Sequence, residues 1–128
     1  MITFSHLEVD VMEKLLEGES QNLAILRDQF HSATIEFRRL TGTGFLLRFR
    51  LPNDAKPASM KSGRVHVGDV EAEISGLANG AGFVLFIKDG KIEILEGYSY
   101  EEKWPDYVEE FILRYLDINR ESLSKVGL

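Results

Sequence analysis

The sequence predicts an α+β fold: a five-stranded, mostly antiparallel meander sheet with two N-terminal helices and one C-terminal helix, the helices chiefly on one face. Three observations carry this. Residues 5–31 repeat apolar side chains at helical spacing, residues 33–96 switch to a period of two broken by glycine turns, and residues 105–118 return to the helical period. The 128 residues suit one domain, 1–128, with no linker, repeat or low-complexity tract inside it.

Helix one is expected from about Ser5 to Glu17. Ser5 and Glu8 form an S-x-x-E capping box, in which each side chain can satisfy a backbone donor of the other. Leu7, Val11 and Leu15 follow at i, i+4, with Met12 and Leu16 widening the stripe, and Gly18 stands where a left-handed C-cap belongs. A second helix is expected from Ser20 to His31, turning Leu23, Leu26 and Phe30 toward the core.

From Ala33 the strands begin. Ile35 and Phe37 alternate with charged neighbours, as do Phe45, Leu47, Phe49 and Leu51. A three-residue loop, Gly42-Thr43-Gly44, would oppose Phe37 to Phe49, Ile35 to Leu51 and Glu36 to Arg50, keeping the aromatics on one face, with Gly44 left-handed. Pro52 to Gly63 reads as a polar, mobile loop. Strand three runs from Val65 to Ser75, and the change of parity between Val67 and Val70 predicts a bulge at Gly68-Asp69. Asp89-Gly90 is a favoured type I′ hairpin pair. It would oppose Ile87 to Ile92, Leu85 to Ile94 and Phe83 to Glu96 on an apolar face, with Phe86 opposite Glu93 and Val84 opposite Leu95 on a mixed one.

The last helix is expected to begin near Pro105, a residue suited to a first turn. Tyr107, Val108, Phe111, Ile112, Tyr115 and Leu116 give its apolar stripe. Glu109 and Glu110 lie early and Arg114 late, as the helix dipole favours.

Composition narrows the function classes. With no cysteine, disulfides, thiolate metal sites and cysteine nucleophiles are excluded together. The start, Met1 to His6, lacks the basic and apolar character of a signal peptide, and the longest apolar run, Phe83 to Ile87, is far short of a membrane helix. A cytoplasmic protein is expected, with no membrane partner. The net charge of −6 argues against nucleic acid. Residues 27–64 carry eight bases against three acids, whereas the flanking segments are acidic, so the parts of the fold can balance one another.

No motif names a reaction. Thr41-Gly42-Thr43-Gly44 joins two strands and lacks the lysine of a phosphate loop. Asp69, Glu71 and Glu73 could share a strand face, which alone is a solvated face more readily than a metal or acid–base site. His6, His31 and His66 are scattered without metal-ligand spacing. Neither catalytic residues nor a cofactor are therefore assigned. Glu96 to Pro105 differs, because it gathers Tyr98, Tyr100, Trp104, Glu101 and Glu102 between the best strand and the last helix. Amphipathic aromatics flanked by charge suit a partner-binding surface, and together with Glu71 and Glu73 they are its candidates. The same aromatics could instead fold back as a lid on the sheet edge.

Three stretches, Leu40-Thr41-Gly42-Thr43-Gly44-Phe45, Gly68 to Leu77, and Gly82 to Phe86 with Leu95 to Tyr100 and Trp104-Pro105, resemble an uncharacterised family of short bacterial proteins. Its pattern reads TGxGF … GDVxAEIxGL … GFxLF … LEGYTY … WP. Ser99 stands here for its threonine, and Glu101 to Lys103 for a more glycine-rich turn. The resemblance implies a bacterial source and transfers no catalytic residue. The leading expectation is a non-catalytic protein-binding module, of the class that includes acidic immunity proteins. The alternatives are a small-ligand or metal-binding protein using the sheet face, with Arg38, Arg48 and Arg50 as anion contacts, and a structural homo-oligomer pairing its mixed face.

Overall fold

The computed structural model describes residues 2–128. Its first element, α1 (His6–Leu15), starts on the expected capping box: Ser5 Oγ accepts from the Glu8 amide at 3.1 Å, and the Glu8 carboxylate accepts from the Ser5 amide at 2.8 Å. Leu7, Val11, Met12 and Leu15 are buried. The far end departs from expectation. Gly18 takes φ +145°, outside the left-handed helical well, and two guanidinium groups do the capping. Arg27 donates to the Leu16 and Gly18 carbonyls, and Arg120 to those of Leu15 and Glu17. Helix α2 (Gln21–Ser32) is capped by Ser20 and buries Leu23, Leu26 and Phe30 as their spacing requires.

Six strands follow rather than five: β1 (Thr34–Leu40), β2 (Gly44–Arg50), β3 (Arg64–Ile74), β4 (Ala81–Lys88), β5 (Lys91–Ser99) and β6 (Phe111–Tyr115), with a short α3 (Glu121–Lys125) at the end. They form one open, wholly antiparallel sheet in the order β1-β2-β5-β4-β3-β6. This is not a simple meander. The chain leaves β2, crosses to the far side to lay down β3, and returns through β4 so that β5 completes the sheet against β2.

Residues 105–118 correct the expected C-terminal helix. Their period is two where it matters: Phe111, Leu113 and Tyr115 turn toward the helices while Ile112 and Arg114 turn away. Tertiary pairing overrides local propensity here. Strand β3 would otherwise be an edge, and Ser75 donates to the Glu110 carbonyl and Leu116 to the Asp69 carbonyl at the two ends of the new ladder.

Both predicted hairpin registers are corrected, the first by its turn, which spans four residues rather than three, and the second by a bulge. In β1–β2, Leu40 pairs with Phe45 and Phe37 with Arg48, so the aromatic and the charge do face each other. Phe37 does not join the core, and on a solvated face its pairing with arginine is tolerated. A bulge at Glu36 then brings Ile35 opposite Phe49. The left-handed residue of this turn is Gly42, at φ +91°, whereas Gly44 is needed because a Cβ there would overlap the Gly97 carbonyl. In β4–β5 the type I′ pair is found, with Asp89 at φ 51° and Gly90 at φ 78°, and Ile87 opposes Ile92. Glu93 then bulges. Beyond it Phe86 opposes Ile94, Leu85 opposes Leu95, Val84 opposes Glu96 and Phe83 opposes Gly97. The expected bulge at Gly68-Asp69 is present, between the Val67–Leu85 and Val70–Phe83 pairs.

The core lies between this sheet and the helices, with Leu47, Val70, Phe83, Leu85 and Leu95 meeting Val11, Met12, Leu15 and Leu26. Helix α3 joins the same side, where Leu123 is buried and Asn22 of α2 donates to the Gly127 carbonyl. The loop 51–63, expected to be mobile, is tethered under α2. Gln29 donates to the Lys56 and Gly90 carbonyls and accepts from the Ile92 amide, while Asn22 exchanges two bonds with Ser59.

Candidate functional site

With every helix on one side, the other face of the sheet is uncovered. Strand parity and the three bulges decide what it shows. Phe37 on β1, Leu46 on β2, Ile94 on β5, and Val84 and Phe86 on β4 form an apolar band across the strands. Phe37 and Phe86 remain 38% and 37% exposed, and the other three are half-buried. Contiguous apolar surface of this kind on a small domain marks an interaction site more often than scattered exposure does.

Charged residues flank the band in two groups. On one side Glu36 takes Arg48 at 2.8 Å and Arg50 at 3.5 Å, and Glu93 lies 3.9 Å from Arg48. On the other, Arg114 of β6 donates to Glu71 at 2.6 Å and Glu73 at 3.1 Å. These pairs are exposed, so each adds little to stability and leaves its charge available to a partner. Both carboxylates hold the Arg114 guanidinium protonated beyond its usual range.

Tyr98 lies beside the acidic group. Its ring rests on Gly82, where a Cβ would overlap the phenol, and it meets Tyr100 edge to face at 5.8 Å. Burial pushes the Tyr98 hydroxyl above its ordinary pKa, and Tyr100, Glu96 and Glu71 push it further. It is a neutral hydroxyl at the surface under ordinary conditions.

The structure thus divides the partner-binding candidates. Tyr98, Glu71 and Glu73 stand together on the open face, with Tyr100 against Tyr98. Trp104 goes elsewhere. It is 8% exposed, packs against Phe45 at 5.5 Å on the helix side, and donates its amide to the Gly42 carbonyl, so it is a lid over the hairpin. Glu102 is occupied as well, accepting from the Ala78 and Asn79 amides, and Glu101 is exposed in the turn at φ 65°. Beside Trp104 lies a cleft of about 400 Å3 bounded by Leu7, Leu40, Phe45 and Tyr107.

The anion-contact candidates do not converge. Arg48 and Arg50 are on the open face, whereas Arg38 is on the helix side, gripping Glu8 through two bonds of 2.7 Å. The three alternating acids separate too. Asp69, at the β3 bulge, is buried and held bidentately by Arg120, away from Glu71 and Glu73. Among the described residues no three imidazole or carboxylate groups are placed to hold one metal ion. His6 is paired with Asp10 at 3.1 Å on α1, and His66 lies against Phe86 with ring centroids 6.2 Å apart. None of the described helices is long and apolar enough to cross a membrane.

The apolar band is only partly legible in the sequence. Val84 and Phe86 fall on the mixed face by strand parity as expected, whereas Ile94, expected beside Leu85 on the apolar face, joins them only through the bulge at Glu93. No family model, curated protein or solved structure matches the chain.

Proposed function

We propose that this chain is a non-catalytic protein-binding module whose recognition surface is the open sheet face, and that it belongs to the small bacterial family whose sequence pattern it shares. The observation that supports this is the band of Phe37, Leu46, Ile94, Val84 and Phe86, flanked by ion pairs and by Tyr98. An apolar centre with a polar rim is the anatomy of a protein interface, and aromatic residues there supply much of the binding energy. The overall charge of −6 favours basic partners, as for immunity proteins, and speeds their encounter at low salt.

Affinity capture from the native cell tests the reading. The wild-type chain retains a specific protein, and Phe86→Asp and Ile94→Asp lose it while keeping a wild-type circular dichroism spectrum. Retention undiminished by both substitutions would remove the open face from consideration.

A further inference from the structure

The charges on the open face are sorted by sign along the strands. Toward the Asp89-Gly90 turn the face carries Arg50, Arg64, Lys88 and Lys91 against the carboxylates of Glu36 and Glu93, with Arg48 set into the band between Phe37 and Ile94. Beyond the apolar band, toward the opposite ends of the same strands, it carries Glu71 and Glu73 against Arg114, while Glu96 lies within the band between Leu46 and Val84. Arg39 closes the β1 end of the band, stacked at 5.8 Å on the Phe37 ring. The face is therefore basic on one side of a central apolar strip and acidic on the other.

Such a surface is complementary to itself. A two-fold axis lying along the band turns one copy over so that its strip meets the same strip of the other, and each basic end covers an acidic end. Strand β3 shows the match in detail. Arg64 and Glu73 lie equally far in sequence from the bulge at Gly68-Asp69, and so do His66 and Glu71. That bulge sits opposite Val84 of the band. An axis through this point sets Arg64 of one copy over Glu73 of the other, and His66 over Glu71, twice each by symmetry.

The area suffices. Six strands spaced about 4.8 Å apart, each contributing about seven residues at roughly 3.3 Å, outline about 650 Å2 per copy. Two copies then bury about 1,300 Å2, within the range of specific interfaces. Stacked sheets whose strands cross at roughly 30° supply the packing geometry.

We infer that the open face is a homodimer interface, in which two copies stack sheet on sheet with the basic end of each over the acidic end of the other. This rests on the reading of that face as a protein-recognition surface and names its occupant as a second copy of the chain.

Sedimentation equilibrium at low and high salt tests it, with charge-reversed variants. The wild type sediments as a dimer, and its dissociation constant rises with salt. Arg64→Glu and Glu73→Arg, both at exposed positions, each weaken the dimer at least tenfold, because each homodimer now opposes like charges twice. Mixing the two variants restores the dimer, since every opposed pair in the mixed species is again of opposite sign. Phe86→Asp yields a monomer that keeps the wild-type circular dichroism spectrum and unfolds cooperatively, at a lower urea concentration because the dimer no longer stabilises the fold. A wild type that stays monomeric at high micromolar concentration, or a mixture that fails to reassociate, overturns the dimer. A monomer whose capture of a cellular protein is lost in Phe86→Asp overturns the dimer alone and leaves the recognition surface standing; a monomer whose captured proteins are unchanged in Phe86→Asp removes both.

Discussion

The Arg38 guanidinium, on edge strand β1, forks the Glu8 carboxylate, in the first turn of α1, through Nε and Nη2 at 2.7 Å each. Glu8 is only 3% exposed and also closes the capping box through the Ser5 amide, so one carboxylate locks the helix start to the sheet edge. The Glu8 carboxylate in turn keeps the Arg38 guanidinium charged beyond its usual range. Arg38→Met removes the cation and leaves a buried carboxylate, which costs about 2–4 kcal/mol. Glu8→Gln keeps one acceptor oxygen for the Ser5 amide and Arg38 Nη2 but turns its NH2 toward Arg38 Nε, a smaller loss of about 1–2 kcal/mol. Urea unfolding of the two variants should show that order; equal losses would mean that the pair contributes only through shape.

Gln29 satisfies three backbone groups of two different segments, the Lys56 and Gly90 carbonyls and the Ile92 amide. Gln29→Leu fills similar space but leaves those buried groups without it, at about 2–4 kcal/mol. Gln29→Glu keeps the acceptor and turns an anion toward two carbonyls. That variant should be the less stable of the two at neutral pH and regain stability on acidification, when the added carboxyl can donate. Thermal melts across pH separate the variants, and a Gln29→Glu melt independent of pH would contradict the buried geometry.

What was legible in the sequence was local. The capping box of Ser5 and Glu8 and the type I′ turn at Asp89-Gly90 depend on residues within one turn of each other, and both are found as expected. The registers depart from expectation for two reasons: the β1–β2 turn takes four residues, Thr41 to Gly44, and in β4–β5 the extra residue Glu93 slips the ladder, a bulge defined by the strand opposite. Strand β6 departs from the expected helix because its pairing is equally non-local. Phe111, Ile112 and Tyr115 fit a helical stripe, and only the pairing of Leu113 with Ala72 and of Arg114 with Glu71 selects the extended form. The candidate site inherited these errors: Tyr98, Glu71 and Glu73 were visible as surface residues, but the band beside them required the corrected register. Asn22 and Gln29, seven apart on α2, carry no signal in the helical spacing, because their partners lie in the 51–63 loop and at the Gly90 turn.

Two glycines on the sheet distinguish backbone crowding from side-chain crowding. A Cβ at Gly44 would overlap the carbonyl oxygen of Gly97 on the neighbouring strand and come within 2.9 Å of the Tyr98 Cα. Strands cannot separate at that point without breaking the β2–β5 ladder, so Gly44→Ala should cost 3 kcal/mol or more, on the order of severe overpacking. At Gly82 the obstacle is the end of the Tyr98 side chain, which can swing into solvent from the open face. Gly82→Ala should therefore cost about 1 kcal/mol while displacing Tyr98 and weakening any complex made through that face. Parallel unfolding and binding measurements distinguish the two, and comparable stability losses would be inconsistent with these contacts.

Tyr115 ties part of the alkaline dependence of stability to one hydroxyl. Its oxygen is 2.7 Å from the Glu17 carboxylate and 2.8 Å from the Lys14 carbonyl, and the Arg120 guanidinium stacks on its ring at 4.2 Å. Burial and the Glu17 carboxylate raise its pKa to about 12, against a smaller downward pull from Arg120. The unfolded chain releases this proton near the ordinary tyrosine value of about 10, and the folded chain holds it until about 12. The stabilisation is therefore complete below pH 10 or so and is lost as pH rises through that interval. Because the ring is partly exposed, solvent screening reduces the effect to about 1 kcal/mol. Other groups titrate over the same range, so the informative quantity is the stability difference between the wild type and Tyr115→Phe. That gap should be constant from neutral pH to about 10 and then narrow by about 1 kcal/mol toward pH 12. A gap that does not change across the interval would show that the hydroxyl ionises alike in both states.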